Sequence, residues 1–181
     1  MPSLKPLKTS MEKQKIPPEM MAQFDFAADS NDPRAVIAEI SKMDGLLTKE
    51  QRLAVMERLG CCKTPRVTAP FKEFGRKYAD KTVEEKLKLF DELKTGHKPP
   101  CHLNPDGTLS IYWDGKCPCG LINKLPQPVD VTITYCGCCG GHVRHTLQYA
   151  LGVRLRLKDI VSSAISSQGE KRCEFLFEIV K

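Results

Sequence analysis

Residues 129–157 read VDVTITYCGCCGGHVRHTLQYALGVRLRL, and three patterns follow one another within them. Val129, Val131, Ile133 and Tyr135 alternate with Asp130, Thr132 and Thr134, which predicts a half-buried β-strand. Cys136, Cys138 and Cys139 then stand in a glycine-rich turn. Val143, Leu147 and Leu151 share one helical face, and Gly152 closes the helix. Val153, Leu155 and Leu157 alternate with Arg154 and Arg156, which predicts the next strand. A helix set between strands of period two implies a sheet with that helix packed on it.

Working outward, Cys173, Phe175, Phe177 and Ile179 alternate with Arg172, Glu174 and Glu178. A turn near Ser167-Gln168-Gly169 pairs this strand with the one from Val153, with basic and acidic side chains sharing the outer face. Cys101-His102-Leu103 and Leu109–Trp113 flank Asn104-Pro105-Asp106-Gly107, a turn signal that predicts another hairpin. His97-Lys98-Pro99-Pro100 reads as a linker. Upstream, residues 31–96 read as helices. Asn31-Asp32-Pro33 is a helix start, and Thr48-Lys49-Glu50-Gln51 and Thr82-Val83-Glu84-Glu85 are capping boxes. Gly60 and Gly96 are stops. The fold class expected is α+β: an antiparallel sheet with a packed helix, preceded by a helical N-terminal segment. Residues 1–30 read as a mobile arm or as an arm laid across a partner subunit, 31–96 as a helical segment, and 97–181 as a cysteine-rich ligand-binding domain.

With 181 residues, 41% hydrophobic and 28% charged, the chain has the composition of a globular protein. No apolar run approaches the roughly 20 residues that span a bilayer, and the first residues carry no apolar signal-peptide core. These features predict a cytoplasmic protein without a membrane partner. The net charge is +6, but lysine and arginine are spread along the chain, which argues against a nucleic-acid partner. An exposed arm and a flat hairpin are compatible with a homodimer.

The nine cysteines are an odd number with two adjacent pairs, a poor disulfide framework. In a reducing compartment they read as metal ligands or reactive thiols. Cys117-Pro118-Cys119-Gly120 is one sulfur-bearing turn, and Cys136-Gly137-Cys138-Cys139 is another. Four sulfurs from Cys117, Cys119, Cys136 and Cys138 satisfy tetrahedral zinc. Ferredoxin-type spacings, which an iron–sulfur cluster commonly uses, are absent. Cys139, His142, Cys61 and Cys62 are additional ligand or pocket candidates, and His102 is a spare nitrogen ligand. At a helix N-terminus the thiols are expected to have lowered pKa values, and Gly137, Gly140 and Gly141 to free the backbone and expose amides. Thiol chemistry without metal and burial as small apolar residues stand beside the metal reading. For Cys61-Cys62 a place at the site and a place as small turn residues are both open. Cys173 lies in phase with Phe175 and Phe177 and reads as core. No Glu or Asp stands beside the cysteines in sequence, and no catalytic residue is identified.

The run from Tyr135 to Val180 resembles the end of the 4-vinyl-reductase-type domain family and is similar to the related L-2-amino-thiazoline-4-carboxylic acid hydrolase family. The shared pattern is a strand ending in Cys136, a helix closing on Leu151-Gly152, an alternating strand, a turn at Gly169, and Cys173-Glu174-Phe175. The resemblance covers the C-terminal half. It implies an α/β module that binds small molecules, often with cysteines near the pocket and sometimes a metal. The function expected is a small-molecule-binding or sensing domain with a cysteine zinc site, its ligand unidentified. The alternative is a hydrolase that opens a C–N or thiazoline-type ring with a metal-bound water or an activated cysteine.

Overall fold

A computed structural model of the chain describes residues 3–29, 32–60, 63–96, 98–114, 119, 120, 122, 125, 126 and 129–180. Six helices come first: α1 (Leu4–Lys13), α2 (Pro18–Met21), α3 (Pro33–Leu46), α4 (Lys49–Met56), α5 (Pro65–Lys77) and α6 (Val83–Lys88). Strands β1 (Cys101–Leu103) and β2 (Leu109–Trp113) follow, then a short 3-10 helix (Ile133–Cys136) that runs into α7 (Gly137–Leu151). Strands β3 (Arg154–Ser162) and β4 (Cys173–Val180) end the chain. This is an α+β fold with N-terminal helices.

Helix starts follow local chemistry. The Asp32 side chain accepts the Arg34 amide at 2.9 Å, with Pro33 in the first turn. Thr48 with Gln51, and Thr82 with Glu85, form reciprocal capping boxes. At the far end of α7, Gly152 takes φ +71°, the left-handed conformation that a Cβ disfavours. The buried Lys86 ammonium donates to the Leu151 carbonyl there at 2.9 Å, placing a cation at the negative end of α7.

All four strands are antiparallel, in the order β1-β2-β4-β3. Leu109 and Ile111 of β2 lie opposite Phe177 and Phe175 of β4. Leu157 and Ile160 of β3 lie opposite the same two residues, with irregular register between Leu157 and Asp159 and again between Ile160 and Ser162. An extra residue restores the inward phase, so Ile160 is buried although it breaks strict alternation from Leu155 and Leu157. On the outer face Arg156 donates from Nε to Glu178 at 3.0 Å. The free edge of β3 is covered by side chains: the Leu155 amide donates to Gln148 at 2.9 Å and the Leu157 amide to Glu57 at 3.0 Å.

Helix α7 sits at the centre, and small residues let neighbours approach its backbone. A Cβ on Gly141 would lie 2.0 Å from the Glu57 carbonyl oxygen, and one on Gly60 would lie 2.4 Å from the Gly141 carbonyl carbon. About two turns further along α7, a Cβ on Gly75 of α5 would lie 2.0 Å from the Tyr149 carbonyl oxygen. Glu57, just past α4, ties this junction together. It is buried, accepts the Leu157 amide, and pairs with Arg144 of α7 at 2.7 Å. Burial raises its pKa above the ordinary value near 4.5, against the Leu157 amide and the nearby arginines, which favour the charged form.

Two expectations are corrected. Residues 129–135 form no strand; Ile133–Cys136 is a 3-10 helix. The Thr132 hydroxyl accepts the Thr134 amide, and both threonine hydroxyls donate to the Asp44 carboxylate of α3. These bonds outweigh the alternation, which breaks because Thr134 and Tyr135 are both buried while Ile133 is exposed. The N-terminal stretch expected as a mobile arm carries α1. Leu4, Leu7 and Met11 stand on one helical face and are buried, and the Ser10 hydroxyl donates to the Val55 carbonyl at 2.7 Å. One hydrophobic core runs through the N-terminal helices, α7 and the sheet.

Replacing Gly141 by Ala should therefore destabilise the fold by about 2–3 kcal/mol, because the partner is backbone and cannot rotate away. Gly45→Ala, with nothing within 4 Å of the new Cβ, should change stability by no more than about 1 kcal/mol, in the stabilising direction. Urea denaturation of the two variants checks the contrast. The Glu57 shift has a definite sign. Its folded-state pKa is raised, so the native protein holds a proton that the unfolded chain has lost above about pH 4.5, and stability falls as pH rises through that window. The stability advantage of the native protein over Glu57→Gln should shrink as pH rises above about 4.5. A difference that grows with pH contradicts the assignment.

Candidate functional site

The cysteine turn is held from three sides. Thr132 and Thr134 anchor its entry to Asp44. Gly137 lies against Met56 of α4, where a Cβ would sit 2.6 Å from the Met56 Cβ, and Gly140 lies against Leu157 of β3, where the corresponding distance is 2.8 Å to Cδ2. These glycines and Gly141 are buried within the helix. Their role is close packing, and the expectation of a freed backbone with exposed amides is corrected on that ground.

Within this frame Cys138 is buried and Cys139 is half-buried. The two thiols are chain neighbours, close enough for Cys138 to act on the ionisation of Cys139. Cys119, 16 residues before Tyr135 in sequence, brings its Sγ to 3.8 Å from the buried Tyr135 hydroxyl. The two sulfur-bearing stretches therefore meet at the start of α7. The Cys136 Sγ lies 2.9 Å from the Ser163 hydroxyl. Cys173, at the start of β4, accepts the Ala164 amide at 3.3 Å and is buried, in line with its reading as a core residue.

Electrostatics oppose ionisation of Cys139 and Tyr135. The Cys139 pKa is pushed well above the ordinary thiol value, first by the hydrogen bond with Cys138, then by burial, and then by the charges that Cys138, Cys119 and Cys173 would carry. Burial also raises Tyr135, reinforced by Cys119 and Cys138. It raises Cys173 as well, against the Ala164 amide, which favours the thiolate. The lowering expected from the helix N-terminus is reversed at Cys139, because neighbouring sulfurs and a dry setting outweigh the dipole. Cys139 therefore does not fit the activated-nucleophile role at neutral pH. Cys101 on β1 lies apart from this description; burial raises its pKa to about 12, and its thiol donates to the Pro99 carbonyl at 3.3 Å.

His142 is buried one turn further along α7, with its ring stacked on Trp113 at 6.4 Å between centroids. His102 is exposed on β1, opposite Ser110. Cys117, Cys61 and Cys62 lie outside the described residues. Gly60, which precedes Cys61, packs on Gly141 and His142. Among the described residues no three His, Cys, Asp or Glu side chains are grouped to hold a metal ion, and none of the six described cysteines is in a disulfide. Sequence reasoning gave no functional part to Tyr135 or Ser163. Tyr135 was read only as a strand residue, and Ser163 stands 27 residues from its sulfur partner with no local signal.

Comparison with protein-family models, curated proteins and solved structures finds no match to this chain. No helix among the described residues is long and apolar enough to cross a membrane.

The raised thiols predict slow chemistry. In metal-free native protein, alkylation of Cys139 by iodoacetamide at about pH 7.5 should be far slower than in urea. Its rate should climb about tenfold per pH unit while the thiolate remains the minor form. Peptide mass spectrometry reads both trends, and a Cys139 rate that levels off below about pH 8 overturns this description.

Proposed function

We propose that this chain is a small-molecule-binding or sensing domain built around a cysteine metal site, with zinc as the metal. The supporting observation is the meeting of Cys119 with the Tyr135 hydroxyl just ahead of α7, whose first turn carries Cys138 and Cys139. Soft sulfur donors suit a divalent cation such as zinc. The influence of neighbouring sulfurs that raises Cys139 is relieved when a cation binds and its proton leaves. Because Cys136 is engaged with Ser163, Cys139 takes its place in the ligand set proposed here: Cys117, Cys119, Cys138 and Cys139. Among the described residues these sulfurs are not grouped at ligand distances; in this proposal metal binding draws Cys119, Cys138 and Cys139 together with Cys117 into a tetrahedral complement.

In this role the metal cross-links the loop carrying Cys119 to the first turn of α7 and removes four thiols from solution chemistry. The part played by a small molecule is supported by the resemblance of the C-terminal half to small-molecule-binding domains, in which cysteines stand near the pocket.

Protein purified without chelator should contain about one zinc per chain by elemental analysis, lost in Cys119→Ser and Cys138→Ser and kept in Cys101→Ser. Zinc affinity should fall as pH is lowered, because protons compete for the sulfurs. Absence of metal together with free titration of all nine thiols in the native protein ends the proposal.

A further inference from the structure

Basic residues that are scattered in sequence converge in space beside α7. Lys5 and Lys13 of α1, Arg58 and Lys63 from the segment after α4, and Arg144 of α7 line one open cleft of about 490 Å³. Among the described residues, no acidic side chain lines it. The Lys63 ammonium donates to the Arg58 carbonyl at 3.2 Å, which ties it to the wall. Arg144 is anchored through one nitrogen on Glu57 at 2.7 Å, so its guanidinium is held in place. Thr9 adds a hydroxyl from the exposed side of α1.

We propose that this cleft binds a small polyanion bearing more than one phosphate group. Like charges set around a concave surface reinforce one another's potential and draw in an anion. Arginine and lysine supply forked and point-like donors, both of which recognise phosphate oxygens. The lining contains no aromatic residue to stack on a base or ring, so recognition is of the phosphates. The volume falls within the range of about 300–1,000 Å³ common for small-ligand sites. None of the proposed zinc ligands Cys119, Cys138 and Cys139 is among the described residues that line the cleft, so the test below reads this site separately from the sulfur cluster.

Inorganic triphosphate is the probe. Calorimetric titration of the full-length chain should give saturable binding of one anion per chain, weakened when salt rises from about 50 to about 200 mM. The double variant Lys13→Glu/Arg58→Glu should bind at least about tenfold more weakly. Lys88→Glu/Lys171→Glu, which changes net charge equally at exposed positions outside the cleft, should bind as the native chain does. Circular dichroism and thermal melting establish that each variant is folded. Vesicles containing a phosphoinositide form a second arm: binding that needs Lys13 and Arg58 supports the site and identifies a lipid headgroup as its phosphate source. Absence of saturable triphosphate binding overturns the proposal. So does an equal loss in the Lys88/Lys171 variant, which reduces the effect to net charge. A short DNA duplex that binds more tightly than triphosphate, and is lost with Lys13 and Arg58, replaces the proposal with a nucleic-acid site.

Discussion

The contact of the Gly141 backbone with the backbone of Glu57 and Gly60 is the constraint on which the arrangement of this molecule depends. It sets how deeply α7 sinks between the N-terminal helices and the sheet. With α7 at that depth, Arg144 reaches the Glu57 carboxylate and the Leu157 amide reaches it from β3. Gly137 and Gly140 extend the same logic, clearing room for Met56 and Leu157 on two flanks of the first turns. The cysteine end of α7 is thereby lodged against two separate layers. A larger residue along this face pushes α7 away from backbone, and backbone has no rotamer with which to yield.

Two buried charged residues stand at this helix, and each has a partner. Glu57 fills the gap between α7 and the open edge of β3, an edge that otherwise presents unpaired amides. Lys86 caps the opposite end of α7 through the Leu151 carbonyl. Desolvating a carboxylate is costly, which its raised pKa registers, and removing only one partner of such a pair costs more than the pair itself contributes. The arrangement confers position more than stability. Glu57 can satisfy both the Leu157 amide and Arg144 only when α4, α7 and β3 are all in register.

Much of the fold is legible in the sequence where a local rule and the packing agree. The capping residues Asp32, Thr48 and Thr82, the Gly152 stop, and the two hairpins all act within a few residues, and each appears where the pattern places it. The strand expected over 129–135 fails for the opposite reason. Its alternation is real, but the deciding partner is Asp44, some 90 residues away, and no local pattern carries that bond. In α1 the spacing of Leu4, Leu7 and Met11 was a readable helical face, obscured by the prolines and lysines around it. At the site, Cys119 stands beside the Tyr135 hydroxyl just ahead of α7, while Cys117, its companion in the expected ligand set, lies outside the described residues. The engagement of Cys136 with Ser163 depends on how the chain after β3 folds back, and neither residue's neighbours announce it. The glycines of the cysteine turn suggested conformational freedom, but their meaning lies in what presses against them.

Charge shows the same limit in reverse. A segment-by-segment reading of lysine and arginine finds no basic block, yet α1, the segment after α4, and α7 bring five of them to one surface. Two unit charges about 8 Å apart repel by about 0.5 kcal/mol even in a water-like dielectric. Five around a single cleft therefore weigh measurably against folding, with Glu57 offsetting one of them. The tether of Lys63 to the Arg58 carbonyl and the tie of Arg144 to Glu57 hold two of these cations in the wall. Flexible surface lysines ordinarily spread apart to lower such repulsion. Side chains fixed in a like-charged ring remain at a disadvantage until an anion enters, and the fold itself maintains that disadvantage through the same Glu57 junction that seats α7.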